Sequence, residues 1–182
     1  MTASPHFGPR ILQLGGLTRE ELQSALAAAG VRLNASAETL LADPLFASVD
    51  AQTVQAAEIV ERTVSQLGLT DGATLVEILA SGREQGLMLC PPYTGPYLRL
   101  AMPDQPNAPD SVMSNGRPPT GAVHVASERI RADYNYPRGF YLRVVDGTPW
   151  LRGYRCSDEA PWSADDRFAF RSSGSLSDGS PT

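Results

Sequence analysis

The chain contains no lysine; all 15 of its basic residues are arginine. That absence removes two chemistries outright. Schiff-base catalysis needs a lysine amine, and a Walker A phosphate loop needs its lysine on the phosphates. Histidine and cysteine are nearly as scarce: His6 and His124, Cys90 and Cys156. Four scattered residues without CxxC or HxxxH spacing predict no metal site, and no sequence signature implies a cofactor. A Cys90–Cys156 disulfide is disfavoured in a reducing cytosol. No apolar run approaches the roughly 20 residues that span a bilayer. The first residues lack a basic stretch followed by an apolar one, so no signal peptide is expected and the default compartment is cytoplasmic. There is no GxSxG nucleophile elbow. Leu14-Gly15-Gly16-Leu17 lacks GxGxxG spacing and reads only as a turn. No internal repeat is present.

What remains has the composition of an ordinary soluble globule, 42% hydrophobic over 182 residues. That length predicts one domain over 1–171, large enough to fold without disulfides or metal. Residues 172–182, SSGSLSDGSPT, read as a disordered tail. The Arg-only basic set, with abundant Ala, Gly and Pro, suggests a GC-rich bacterial genome. Charge is uneven. Residues 1–90 hold 5 Arg against 10 acids, and 91–182 hold 10 Arg against 10 acids. The net acidity makes a duplex nucleic acid an unfavourable partner. The Arg excess within 117–156, 7 against 3 acids, leaves room for a local basic patch.

The strongest local signal is Gly139–Cys156, GFYLRVVDGTPWLRGYRC. Asp146-Gly147 suits a type I′ turn, which needs φ > 0 at both central positions. The flanking runs are rich in aromatic and β-branched residues. A two-residue loop sets Leu142 opposite Leu151, Arg143 opposite Trp150 and Tyr141 opposite Arg152. One face then carries Phe140, Leu142, Val144, Pro149 and Leu151, a core face. The other carries Tyr141, Arg143, Trp150, Arg152 and Tyr154. A one-residue slip would mix the two sets.

Upstream, Thr18 and Glu21 form a capping box for a helix over about 19–29, with Leu17 and Leu22 placed as a staple and Gly30 as the stop. Asn34 caps a second helix over about 35–42, ended before Pro44. The pair reads as an acidic αα-hairpin rather than a DNA-binding unit. Residues 54–67 fit a helical stripe and also an edge strand over 58–64. A helix follows over about 73–85, with Asp71 near its start and Gly86 as its stop. Tyr97–Met102 reads as a short strand, and 103–121 as a long loop with five prolines, functional or loose. Ala122–Ser127 is a strand with His124 on the face opposite Val123 and Val125. Phe168–Phe170 is expected to close the sheet. The fold class is therefore α+β, with N-terminal helices packed on a C-terminal antiparallel or mixed sheet.

The pieces GFYLR–DG–WLRGYR–SD–W–DDRFAF, with GLTREELQSALAAAGVRLN, ADPLF and ATLVEIL–GL–LCP before them, resemble a set of small uncharacterised bacterial proteins over about 11–170. That set has no established function, so the resemblance implies no site. It implies a single unit, and it tips 58–64 towards a strand.

For function the residues support a non-catalytic binding or interaction module. Its surface is the Tyr141, Arg143, Trp150, Arg152 and Tyr154 face of the hairpin, with the 103–121 loop beside it. Exposed Trp, Tyr and Arg are the side chains that dominate interfaces and that stack on bases or sugars in single-strand binders. The same ladder also serves plain cross-strand stabilisation. The partner is a protein or a small molecule, with no membrane involved. The alternative is a small hydrolase with His124 as general base, beside Ser127, Asp133, Asp165 or Asp166. The adjacent pairs Asp158-Glu159 and Asp165-Asp166 point to opposite faces if extended, which makes them poor metal clamps.

Overall fold

A computed structural model describes residues 7–113 and 116–174. His6, residues 1–6 of the polar lead-in and 175–182 of the expected tail lie outside the described residues. In chain order the elements are β1 (Arg10–Leu14), α1 (Arg19–Ala28), β2 (Arg32–Leu33), α2 (Ala35–Leu41), α3 (Val49–Gln52), β3 (Gln55–Thr63), β4 (Ala73–Thr74), α4 (Leu75–Glu84), α5 (Thr94–Ala101), β5 (Val123–Val125), β6 (Gly139–Val145), β7 (Thr148–Tyr154), β8 (Pro161–Trp162) and β9 (Arg167–Arg171), with 3-10 turns at Pro44–Ala47 and Ser65–Leu67.

Seven strands make one mixed sheet in the order β1-β3-β9-β5-β6-β7-β2. β5 runs parallel to β9 and β2 parallel to β7; the other ladders are antiparallel. The α+β class holds, but the expected division of the chain does not. Three strands of this sheet, β1, β2 and β3, come from the N-terminal half, and β3 lies inside it between β1 and β9. β3 is covered on both faces, with Ile59, Val60 and Glu61 buried in succession. Such a strand has no alternation, so its apolar residues fit a helical stripe equally well. The last strand, β9, does not close the sheet either; it sits between β3 and β5.

The hairpin has the predicted register, Leu142 opposite Leu151 and Arg143 opposite Trp150. Its turn residues have φ of 50° at Asp146 and 76° at Gly147, as a type I′ turn requires. The Thr18–Glu21 capping box is formed in both directions, and Asn34 caps α2 through the Ala37 amide. Asn34 does more than cap. Its side chain also accepts from Gly153 N at 2.8 Å and donates to Gly153 O at 2.9 Å, so it copies a strand's backbone pair and fastens α2 to β7. α4 is capped by Thr74 with Glu77, a box one helical turn from the Asp71 expected to start it.

Tyr97–Met102 is not a strand. It forms most of α5, a helix whose residues Thr94 to Arg99 are all buried. A helix covered on every side shows no amphipathic period, and Tyr-Leu-Arg-Leu then passes for alternation. Pro96 is tolerated because it lies in the first turn, where amides lack helical partners anyway. Gly95 lets the helix lie directly on β6: a Cβ there would stand 2.5 Å from the Phe140 ring.

Two apolar clusters flank the sheet. Side chains of α1, α2 and α5 pack with Leu12, Ile59, Leu142 and Leu151. On the opposite face Leu75, Ile78 and Leu79 of α4 pack with Val60, Phe168, Phe170 and Trp162. α4 thus covers the β3–β9 part of that face and leaves the hairpin part to other segments.

Candidate functional site

Strand register places the aromatic and arginine side chains in rows. His124 pairs with Phe168 on β9 and with Tyr141 on β6, and Tyr141 pairs with Arg152 on β7. Phe168, His124, Tyr141 and Arg152 therefore stand side by side across four strands, on the face opposite the helices α1, α2 and α5. The next row holds Arg143, Trp150 and Arg32.

The two rows have different surroundings. Arg143 is fully buried. Its guanidinium donates to Thr120 O at 2.9 Å, Val112 O at 2.6 Å and Asp110 O at 3.0 Å, and pairs with the Asp110 carboxylate at 2.9 Å. This corrects the expectation that Arg143 belongs to an exposed binding face. It is the post around which the 103–121 loop is wound, and the loop's carbonyls use up its donors. The loop is fastened again where Ala108 N donates to Val144 O at 2.7 Å and Gly147 N to Asn107 Oδ1 at 2.8 Å. The Asp110 carboxyl is held below its ordinary range, chiefly by the Thr120 hydroxyl and the Val112 amide.

Trp150 is half-buried on β7, between Arg143 of β6 and Arg32 of the edge strand β2. Its ring lies between the guanidiniums of Arg32 and Arg152, 5.4 and 5.2 Å from the ring centre. α4 does not reach it.

Between the 103–121 loop and the β8 segment the sheet face is open, and a cavity of about 420 Å³ lies there. Its floor is His124, Tyr141 and Arg152; Tyr154 and Trp162 form one wall, and Met113 with Arg117–Pro119 the other. Three of the five predicted hairpin residues, Tyr141, Arg152 and Tyr154, line it, while Arg143 and Trp150 do not. Asn34 and Gly153 reach it as well, so the α2–β7 clasp doubles as part of the rim.

His124 is enclosed by rings. It stacks on Tyr141 at 5.1 Å and meets Trp162 edge-on at 4.7 Å and Tyr154 edge-on at 5.1 Å, with Phe168 tilted at 5.6 Å. Burial pushes its pKa down to about 3, only partly opposed by a hydrogen bond between the ring and the Arg167 backbone. It is a neutral imidazole at neutral pH, too weak a base for general-base work, where a pKa near the operating pH serves best.

None of Ser127, Asp133, Asp165 or Asp166 lines the cavity. Asp166 is occupied with the Ser163 amide at 2.7 Å, and burial pushes its carboxyl up to about 6. Cys156 also reaches the cavity as a free thiol, while Cys90 is buried elsewhere with its thiol pushed up to about 12 by burial. No group of three His, Cys, Asp or Glu able to hold a metal ion occurs among the described residues. No helix among them is long and apolar enough to cross a membrane.

Three buried polar atoms around this cavity have no partner: His124 Nδ1, Arg152 Nε and Trp162 Nε1. Each has almost no accessible surface, so these atoms lie beneath the cavity lining and are not open to it. Trp162 and Arg117 escaped the sequence reading. A two-residue strand and a proline-rich loop carry no periodicity, so nothing local marks either residue as part of a site.

No protein-family model, no curated protein and no solved structure matches this chain. The functional reading stands on the chain's own residues.

Proposed function

We propose that this protein is a non-catalytic binding module, and that its partner is a small molecule held in the cavity over His124, Tyr141, Arg152, Tyr154 and Trp162. The observation that carries the reading is one aromatic-walled cavity lined by Arg117, Arg152 and Arg155 and by no Asp or Glu. The volume lies within the range of about 300–1,000 Å³ usual for small-molecule sites, and the plan is the usual one, mostly apolar and aromatic walls with a few convergent polar groups. A binding role agrees with the chemistry at the floor. The neutral His124 is walled by aromatic rings, and no carboxylate lines the cavity to orient it or to take a proton.

The test uses the protein's two tryptophans. Trp162 lines the cavity and Trp150 does not. In a Trp150→Phe protein the fluorescence reports the cavity alone. A library of small aromatic compounds should contain members that change Trp162 emission saturably and raise the melting temperature. A library that moves neither signal would refute the reading.

A further inference from the structure

We infer that the ligand of this cavity is a small aromatic carboxylate. This rests on the proposed binding function and names the class of molecule it serves.

The charge comes first. Arg117, Arg152 and Arg155 line the cavity, and no Asp or Glu does. None of the three forms an ion pair within 4.0 Å of a carboxylate of the described residues; Arg117 acts on the Asp166 carboxylate only at longer range. Behind the Tyr154 wall, Arg129 and Arg138 share the single carboxylate of Asp158, at 3.1 and 3.7 Å. The chain as a whole is acidic, so this excess of arginine is local. Low-dielectric walls focus such a field on whatever enters. The Arg152 guanidinium stacks on Trp150, 5.2 Å from the ring centre, and stands beside Tyr141 on the neighbouring strand. A guanidinium fixed in place suits a carboxylate oxygen.

The shape comes next. Tyr154 and Trp162 stand edge-on to His124 and stack with neither it nor each other, at interplanar angles of 90°, 86° and 81°. Aromatic surface around an opening of this size favours a planar ring.

The test compares 4-hydroxybenzoate, its neutral isostere 4-hydroxybenzamide, and benzoate, by calorimetry on the full chain and by Trp162 emission in the Trp150→Phe protein. Hydroxybenzoate should bind at least about tenfold more tightly than the amide, as loss of a charge-assisted hydrogen bond implies. Arg152→Gln should remove the acid–amide difference. Because the acid–amide comparison is made on the wild-type chain, it stands even where that variant does not fold. Equal binding of acid and amide overturns the anion assignment while the cavity reading survives. No response to any of the three probes overturns both the ligand class and the binding site.

Discussion

Replacing Arg143 by Met tests whether a single buried guanidinium holds the 103–121 loop. Methionine keeps much of the volume and flexibility of the stem and removes the donors. Three backbone carbonyls then lose their partners, those of Asp110, Val112 and Thr120. A carbonyl left unsatisfied costs about 1–3 kcal/mol where it is dry, and these three belong to exposed residues that water reaches in part. The loop can peel off and rehydrate them, at the loss of its packing on β6, which sets the expectation near the low end, about 3 kcal/mol. The exposed Asp110 carboxylate contributes nothing to that figure. At roughly 2–4 °C per kcal/mol for a chain of this size, the melting temperature should fall by 6–12 °C. Thermolysin, which cleaves before apolar residues, should gain a site near Val112 and Met113. Urea melts and a timed digest read both effects. A loss below about 1 kcal/mol with an unchanged digest would mean that the loop is held by its other ties and that Arg143 is not its post.

Three further expectations follow from other parts of the molecule. Thr18→Ala removes the acceptor for the Glu21 amide and should lower stability in urea by about 0.5–2 kcal/mol; an unchanged midpoint would show that the box adds nothing. Gly153→Ala should destabilise by about 1–3 kcal/mol, because a Cβ there stands 2.7 Å from the Ser36 carbonyl carbon and would push α2 off β7; a melting temperature equal to wild type would show that the clasp gives way freely. His124 is held at about 3 by burial, below its value in an unfolded chain. Between about pH 6.5 and 3 the unfolded state therefore binds the proton and the folded state does not. Its contribution is present above pH 6.5 and declines as pH falls, by up to about 1.4 kcal/mol per pH unit. His124→Phe should show a shallower decline than wild type in urea midpoints at pH 7, 5.5 and 4.5, and parallel declines would sink the assignment.

Much of the fold was legible before the structure because its determinants are local. Asp146-Gly147 sets the hairpin register through the φ its turn demands, and that register sorts Phe140, Leu142 and Leu151 from Tyr141 and Arg152. The Thr18–Glu21 box and the Asn34 cap are likewise satisfied within three residues. The one clear misreading of an element's type is α5, and the ambiguity over β3, which the resemblance tipped correctly towards a strand, shares its cause: a segment largely without a solvent face loses the period that tells a strand from a helix.

The site divides in the same way. The sequence alone determined that Tyr141 and Arg152 stand together on one face, because strand alternation and turn geometry require it. Only the tertiary structure decided what covers that face. Whether an arginine is a post or a binding group depends on which distant carbonyls reach it. Loop 103–121 closed over Arg143, and Arg152 was left lining the open cavity. The row Phe168–His124–Tyr141–Arg152 joins strands far apart in the chain, and Trp162 and Arg117 come to it from a two-residue strand and a proline-rich turn. Long-range pairing of that kind leaves no periodic trace in the segments it joins.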